Sequence, residues 1–113
     1  MPESPTSVVD AAFRYYRSQD RAAAFALYAD DFSFTSPQDD HLDKATFFER
    51  CFPTADHFKE QRQLNVTPAD DELVFVYYEY ELATGDRYRN VEAITVRDGL
   101  IREVQVFFGG KVN

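Results

Sequence analysis

The sequence predicts one α+β domain, with short helices first and a sheet of long strands last. Val8, Val9, Ala12, Phe13 and Tyr16 recur at i, i+3 and i+4, the apolar stripe of an amphipathic helix. Three apolar-rich runs, Glu72–Ala83, Tyr88–Arg97 and Ile101–Phe108, are separated only by Thr84-Gly85-Asp86 and Asp98-Gly99-Leu100. That spacing reads as an antiparallel meander joined by tight turns. The chain of 113 residues suits a single core and contains no internal repeat or linker, so one domain spans residues 1–113.

Met1–Thr6, with Pro2 and Pro5, reads as a loose arm. Ser4 is placed to cap the first helix, with Pro5 at its first position and the stripe running from Val8 to Arg17. Ser18-Gln19-Asp20 breaks the stripe, and Asp20 caps a second helix over Arg21 to Tyr28, rich in alanine. Asp30-Asp31 ends it. Phe32-Ser33-Phe34-Thr35 alternates as a brief strand, and Ser36-Pro37-Gln38-Asp39-Asp40-His41 reads as a polar turn. Asp43 caps a third helix from Lys44 to Cys51, which Pro53 stops. Ala55 to Val66 mixes apolar and charged residues and reads as a long, partly exposed strand.

Composition narrows the function. Twelve basic and 20 acidic residues give a formal charge of −8 and a pI near 4.6. A nucleic-acid binder needs a basic footprint to neutralise phosphates, and an anionic membrane surface repels such a chain, so neither partner is expected. No signal peptide and no long apolar run are seen, which makes the cytoplasm the expected location. Cys51 is single and excludes an intrachain disulfide. It sits in the aromatic run Phe47-Phe48-Glu49-Arg50-Cys51-Phe52, and the reading as a buried, inert thiol outweighs that of a nucleophile served by His57. His57 reads as a surface or structural residue. No metal is expected, because His41, His57 and Cys51 lack ligand spacing, and no cofactor, because no phosphate loop or dinucleotide fingerprint is present.

Strand alternation assigns the faces. Val74, Val76, Tyr78 and Tyr80 share one face of the first meander strand. Tyr88, Asn90, Glu92, Ile94 and Val96 share one face of the second. Glu92 is the sharp feature. A carboxylate among apolar neighbours is costly to bury unless it is hydrogen-bonded or becomes neutral. Burial in a cavity makes it a proton donor or shuttle. The alternatives are an exposed glutamate or a structural pair with Arg89 or Arg62. Leu73, Phe75, Tyr77, Val91 and Phe107 fall on the opposite face and need cover as well, which points to a homodimer through the outer face of the sheet.

The helix–helix order with its Leu27-Tyr28-Ala29-Asp30-Asp31 ending, the strand to Pro37, and the tail Tyr88-Arg89-Asn90-Val91-Glu92 through Val104-Gln105-Val106-Phe107-Phe108-Gly109 together resemble the SnoaL-like branch of the NTF2-like, ketosteroid isomerase-like superfamily, over about residues 7–109. The resemblance implies a cone-shaped fold: a curved mixed/antiparallel sheet wrapped around three helices, with an apolar pocket between them and dimers through the outer sheet face. It turns Glu92 inward, at the position of a protonated aspartate on the penultimate strand of the steroid isomerases. It puts Ser36 where those enzymes hold a carboxylate base, and Ala12 where they hold a tyrosine donor. Two of the three groups of that double-bond isomerisation are therefore replaced. The polyketide cyclases of the family use acidic and histidine residues elsewhere in the pocket. Here the candidates are Asp40 and His41, read either as an acid–base pair reaching the cavity or as a solvated capping loop.

The expected ligand pocket is lined by Phe13, Tyr16, Phe34, Phe48, Phe52, Tyr78, Tyr88, Asn90, Ile94, Val104, Val106 and Phe108. Three functions compete. The first is a pocket protein for a small apolar, ring-shaped ligand. The second is a cofactor-independent acid–base enzyme (isomerase, cyclase or hydrolase) using His41 or Asp40 with Glu92. The third is a dimerising or partner-binding module whose pocket is filled by Phe13, Tyr16, Phe48 and Phe52.

Overall fold

The computed structural model describes residues 4–113. Helix α1 (Pro5–Ser18) opens as its sequence dictates: the Ser4 hydroxyl accepts from the Ser7 amide, and Pro5 occupies the first turn. The arm expected over Met1–Thr6 lies outside the described residues at its first three positions, and its remainder caps and begins α1. The stripe Val8, Val9, Ala12 and Phe13 is buried against the sheet. Gln19 ends the helix in the left-handed region, at φ 56°.

Helix α2 (Arg21–Phe25) is capped by Asp20, which accepts from the Ala23 amide. It stops well short of Tyr28. The chain instead enters strand β1 (Tyr28–Ser36), longer than the four residues expected. Tertiary pairing overrides helix propensity here: Tyr28 stands opposite Ile101, and the Ile101 amide donates to the Leu27 carbonyl at 2.8 Å. The polar stretch after Pro37 is no open loop either. It turns back as strand β2 (Asp39–Leu42), antiparallel to β1 across an irregularity between Phe34 and Ser36.

Helix α3 (Lys44–Arg50) is capped by Asp43, and Phe47 and Phe48 face the core. The α-helix ends before Pro53, as expected. A 3₁₀ turn (Phe52–His57) continues the path, because proline's fixed φ and missing amide suit a first helical turn. Strands β3 (Phe58–Pro68), β4 (Leu73–Leu82), β5 (Arg87–Arg97) and β6 (Leu100–Lys111) follow. The β5–β6 turn takes positive φ at Asp98 (55°) and Gly99 (76°), the two left-handed residues that a tight hairpin requires.

The sheet order is β2-β1-β6-β5-β4-β3, with β1 parallel to β6 and every other pair antiparallel. This is the expected mixed, curved α+β architecture. Val74, Val76, Ile94, Val96, Ile101 and Val104 form the inner face of the sheet and pack against α1 and the aromatic side chains of α3. Near its end β6 bulges against β5, where the register slips between Tyr88 and Asn90. Gly109 sits at that slip, and a Cβ there would lie 2.3 Å from the Arg89 carbonyl oxygen.

Candidate functional site: a cavity between sheet and helices

A cavity of about 450 Å³ remains between the inner face of the sheet, α1, α3 and the 3₁₀ turn. Its volume lies in the range of small-molecule sites. Helix α1 contributes Ala12, Phe13 and Tyr16; the β1–β2 hairpin Tyr28, Phe34, Ser36, Gln38 and Asp39; α3 and the turn after it Phe47, Arg50, Cys51, Phe52 and Thr54. The sheet supplies Phe58, Gln61, Tyr78, Asn90, Glu92, Ile94, Ile101, Val104 and Val106. Gln38 and Arg50 are exposed, and the cavity opens beside them.

Of the residues expected to line the pocket, all but Phe48, Tyr88 and Phe108 do so. Phe48 is buried behind the wall, stacked on Phe52 with ring centroids 5.1 Å apart. Tyr88 and Phe108 pack together further along the sheet, where Phe108 is 55% exposed. Alternation fixes which face a side chain takes. It does not fix how far along the strand the helices reach.

Glu92 lies at the centre of the inner face, between Val76 on β4 and Val106 on β6. Arg62 and Arg89, its alternative partners, both bond Glu79 on the opposite face, at 3.2 and 3.0 Å. The partner of Glu92 is Tyr78, whose hydroxyl donates to Oε2 at 2.7 Å. Burial pushes the Glu92 carboxyl up to about 7, against the opposing pull of the Tyr78 hydrogen bond. The Tyr78 hydroxyl is itself held well above its ordinary range, by burial first and then by the Glu92 charge, so it remains a donor. Asn90, also buried, donates from Nδ2 to the Tyr78 hydroxyl at 3.3 Å and accepts from the Gly109 amide at 3.4 Å. The chain Asn90, Tyr78, Glu92 therefore fixes one carboxylate oxygen, Oε2, through the Tyr78 hydroxyl. When the group is neutral, it can present a proton to the cavity.

Two further polar clusters line the walls. Thr54 gives its hydroxyl proton to the Cys51 carbonyl at 2.7 Å, so Tyr16 is the donor in the 2.7 Å contact with Thr54. Burial pushes the Tyr16 hydroxyl up to about 12. In the hairpin, the Gln38 amide donates to Ser36 Oγ at 3.1 Å, and the Ser36 hydroxyl donates to Asp39 Oδ2 at 2.9 Å. Cys51 lines the wall with its thiol pushed up to about 11, mainly by burial, as an inert thiol should be.

Asp40 and His41 lie outside the cavity. Their side chains are 92% and 66% exposed, and they bond each other, Asp40 Oδ1 to His41 Nδ1 at 2.5 Å. Adjacent strand residues ordinarily point to opposite sides, so a side-chain bond between neighbouring Asp40 and His41 is not expected from the sequence, and the contact corrects that expectation. His41 escapes that rule because its φ is 51°, in the left-handed region. His57 is likewise at the surface, 3.6 Å from Asp56. Among the described residues, no three His, Cys, Asp or Glu side chains gather as metal ligands, and no helix is long and apolar enough to cross a membrane.

Sequence reasoning missed Asp39, Gln38, Gln61, Thr54, Tyr28, Phe47 and Phe58 as lining residues. The signal for Asp39 and Gln38 was the hairpin: once Ser36 and Asp39 pair across a two-residue Pro37-Gln38 turn, both fall at the cavity edge.

The fold defined by this sheet, its helices and the cavity is that of the NTF2-like proteins. An NTF2-like protein of unknown function from Cytophaga hutchinsonii superposes with a TM-score of 0.79 at 13% identity, covering 96% of this chain and 92% of its own. A protein from Kribbella flavida does so with a TM-score of 0.82 at 19% identity, covering 90% and 84%. A computationally designed 17-OHP binder matches with a TM-score of 0.70 at 19% identity, covering 93% of both chains. No protein-family model matches the sequence, and no curated protein matches it.

Proposed function

We propose that this chain is a pocket protein of the SnoaL-like kind that binds a small apolar, ring-containing ligand and reads one carbonyl on it with Glu92. The observation that carries the reading is a deep carboxyl whose acidity lies near neutrality, set in an aromatic wall and oriented by Tyr78. A carboxyl kept neutral is a hydrogen-bond donor, and in a site shielded from water that donation is stronger than at a surface. A computationally designed protein of this fold binds 17-OHP, which supports a small-molecule reading of the cavity. The acid–base enzyme reading is weaker, because neither His41 nor Asp40 reaches the cavity. The filled-module reading is weaker because Phe13, Tyr16 and Phe52 surround open space rather than occupy it.

The outer sheet face supports pairing with a second copy of the chain. Phe75, Tyr77, Leu64 and Phe107 are exposed there, and Tyr77, Val91 and Phe107 form one row across three strands. Arg62, Glu79 and Arg89 give the same face both signs of charge, as a self-complementary contact needs.

The test of the pocket is fluorescence titration with 2-acetylnaphthalene, a two-ring carbonyl probe. Val106→Phe narrows the cavity beside Glu92, its cross-strand neighbour, and should abolish binding while thermal stability is kept. Binding that survives Val106→Phe places the probe elsewhere and refutes the reading.

A further inference from the structure

We propose that Asp39 is a second ligand anchor, taking a hydroxyl or ammonium donor at the end of the ligand remote from Glu92, so that the ligand is a fused-ring molecule with a carbonyl at one end and a hydrogen-bond donor at the other. The inference rests on the pocket reading above and names its substrate class.

The sheet register sets the geometry. Thr35 pairs with Gln105, so Ser36 stands level with Val106, and Val106 pairs with Glu92. Asp39 pairs with Ser36. Asp39 and Glu92 are therefore at one height on the sheet and three strands apart, about 14 Å between backbones at ordinary strand spacing. Both side chains line the same cavity from opposite ends. Two fused rings with a polar atom at each end span what the side chains leave.

Asp39 is also held in place. The Gln38 amide fixes the Ser36 oxygen, and the Ser36 hydroxyl then has its proton directed at Asp39 Oδ2. That leaves the second oxygen of Asp39 for a ligand. Asp39 lines the cavity together with Arg50 and Cys51. The two carboxyls divide the work: the deep one reads an acceptor, and the one at the mouth, beside exposed Gln38 and Arg50, reads a donor.

Three probes test this: 2-acetylnaphthalene, 6-acetyl-2-naphthol and its methyl ether, titrated into wild type, Asp39→Asn and Glu92→Gln. A hydrogen bond to a charged acceptor should make wild type prefer the naphthol over the ether by about tenfold. Asp39→Asn keeps the shape and the Ser36 contact, and should cut that preference to about twofold. Glu92→Gln should weaken all three probes together. Equal affinity for naphthol and ether, or a preference that survives Asp39→Asn, overturns the anchor and leaves the pocket reading standing. Failure of all three probes to bind wild type overturns the pocket reading and the anchor with it.

Discussion

At Glu92 the period of a strand conflicts with the chemistry of a carboxylate. Position in the alternation sends the side chain inward, and burial there raises its pKa to about 7 from an ordinary 4.5. The consequence for stability follows in sign and window. Between pH 4.5 and 7 the unfolded chain has lost this proton while the folded chain keeps it, so stability falls as pH rises through that window and levels off above 7. The contribution is about 3 kcal/mol at most. Urea unfolding of wild type and Glu92→Gln at pH 5 and pH 8 isolates it: the stability difference should move in favour of Glu92→Gln at the higher pH. An unchanged difference means that Glu92 titrates like an exposed glutamate. Alternation put Glu92 on one face with Ile94 and Val96 but left an exposed glutamate or a pair with Arg89 or Arg62 open, and the family resemblance turned it inward. Its partner was not legible, because alternation places Tyr78 on the same face without saying that its hydroxyl reaches Oε2.

At the scale of elements, the meander was legible because its turns carry their own chemistry, Thr84-Gly85-Asp86 and Asp98-Gly99. The three helix caps Ser4, Asp20 and Asp43 were legible for the same reason. The stretch from Leu27 to Leu42 was not. Local propensity continues α2 to Tyr28, whereas pairing with Ile101, distant in sequence, makes Tyr28 a strand residue. The same error hid β2, and with it the cavity edge at Asp39. The bulge of β6 gives a sharp test of an element. Gly109→Ala drives a methyl group into the Arg89 carbonyl, and the strand must shift to relieve it. The expected cost is about 1–3 kcal/mol, read by urea unfolding, a magnitude usual for overpacking. A neutral substitution would mean that the β5–β6 register is looser than described.

For the whole molecule, the two faces of the sheet differ in what they enclose and what they expose. The inner face walls the cavity, and the outer face carries Phe75, Tyr77 and Phe107 in the open. Sedimentation equilibrium should report a dimer in micromolar solution, and Phe107→Glu should return it to a monomer without loss of helical or sheet signal. A monomer in wild type rules the outer-face contact out. The central claim concerns the inner face: a carboxyl that holds its proton up to about pH 7 donates to a ligand carbonyl. The most direct measurement is the affinity of wild type and Glu92→Gln for 2-acetylnaphthalene from pH 5.5 to 9. The account predicts constant wild-type affinity up to about pH 7, then a fall approaching about tenfold per pH unit as the proton is lost, with no such fall in Glu92→Gln. Wild-type affinity that stays flat to pH 9, or the same fall in both proteins, contradicts it.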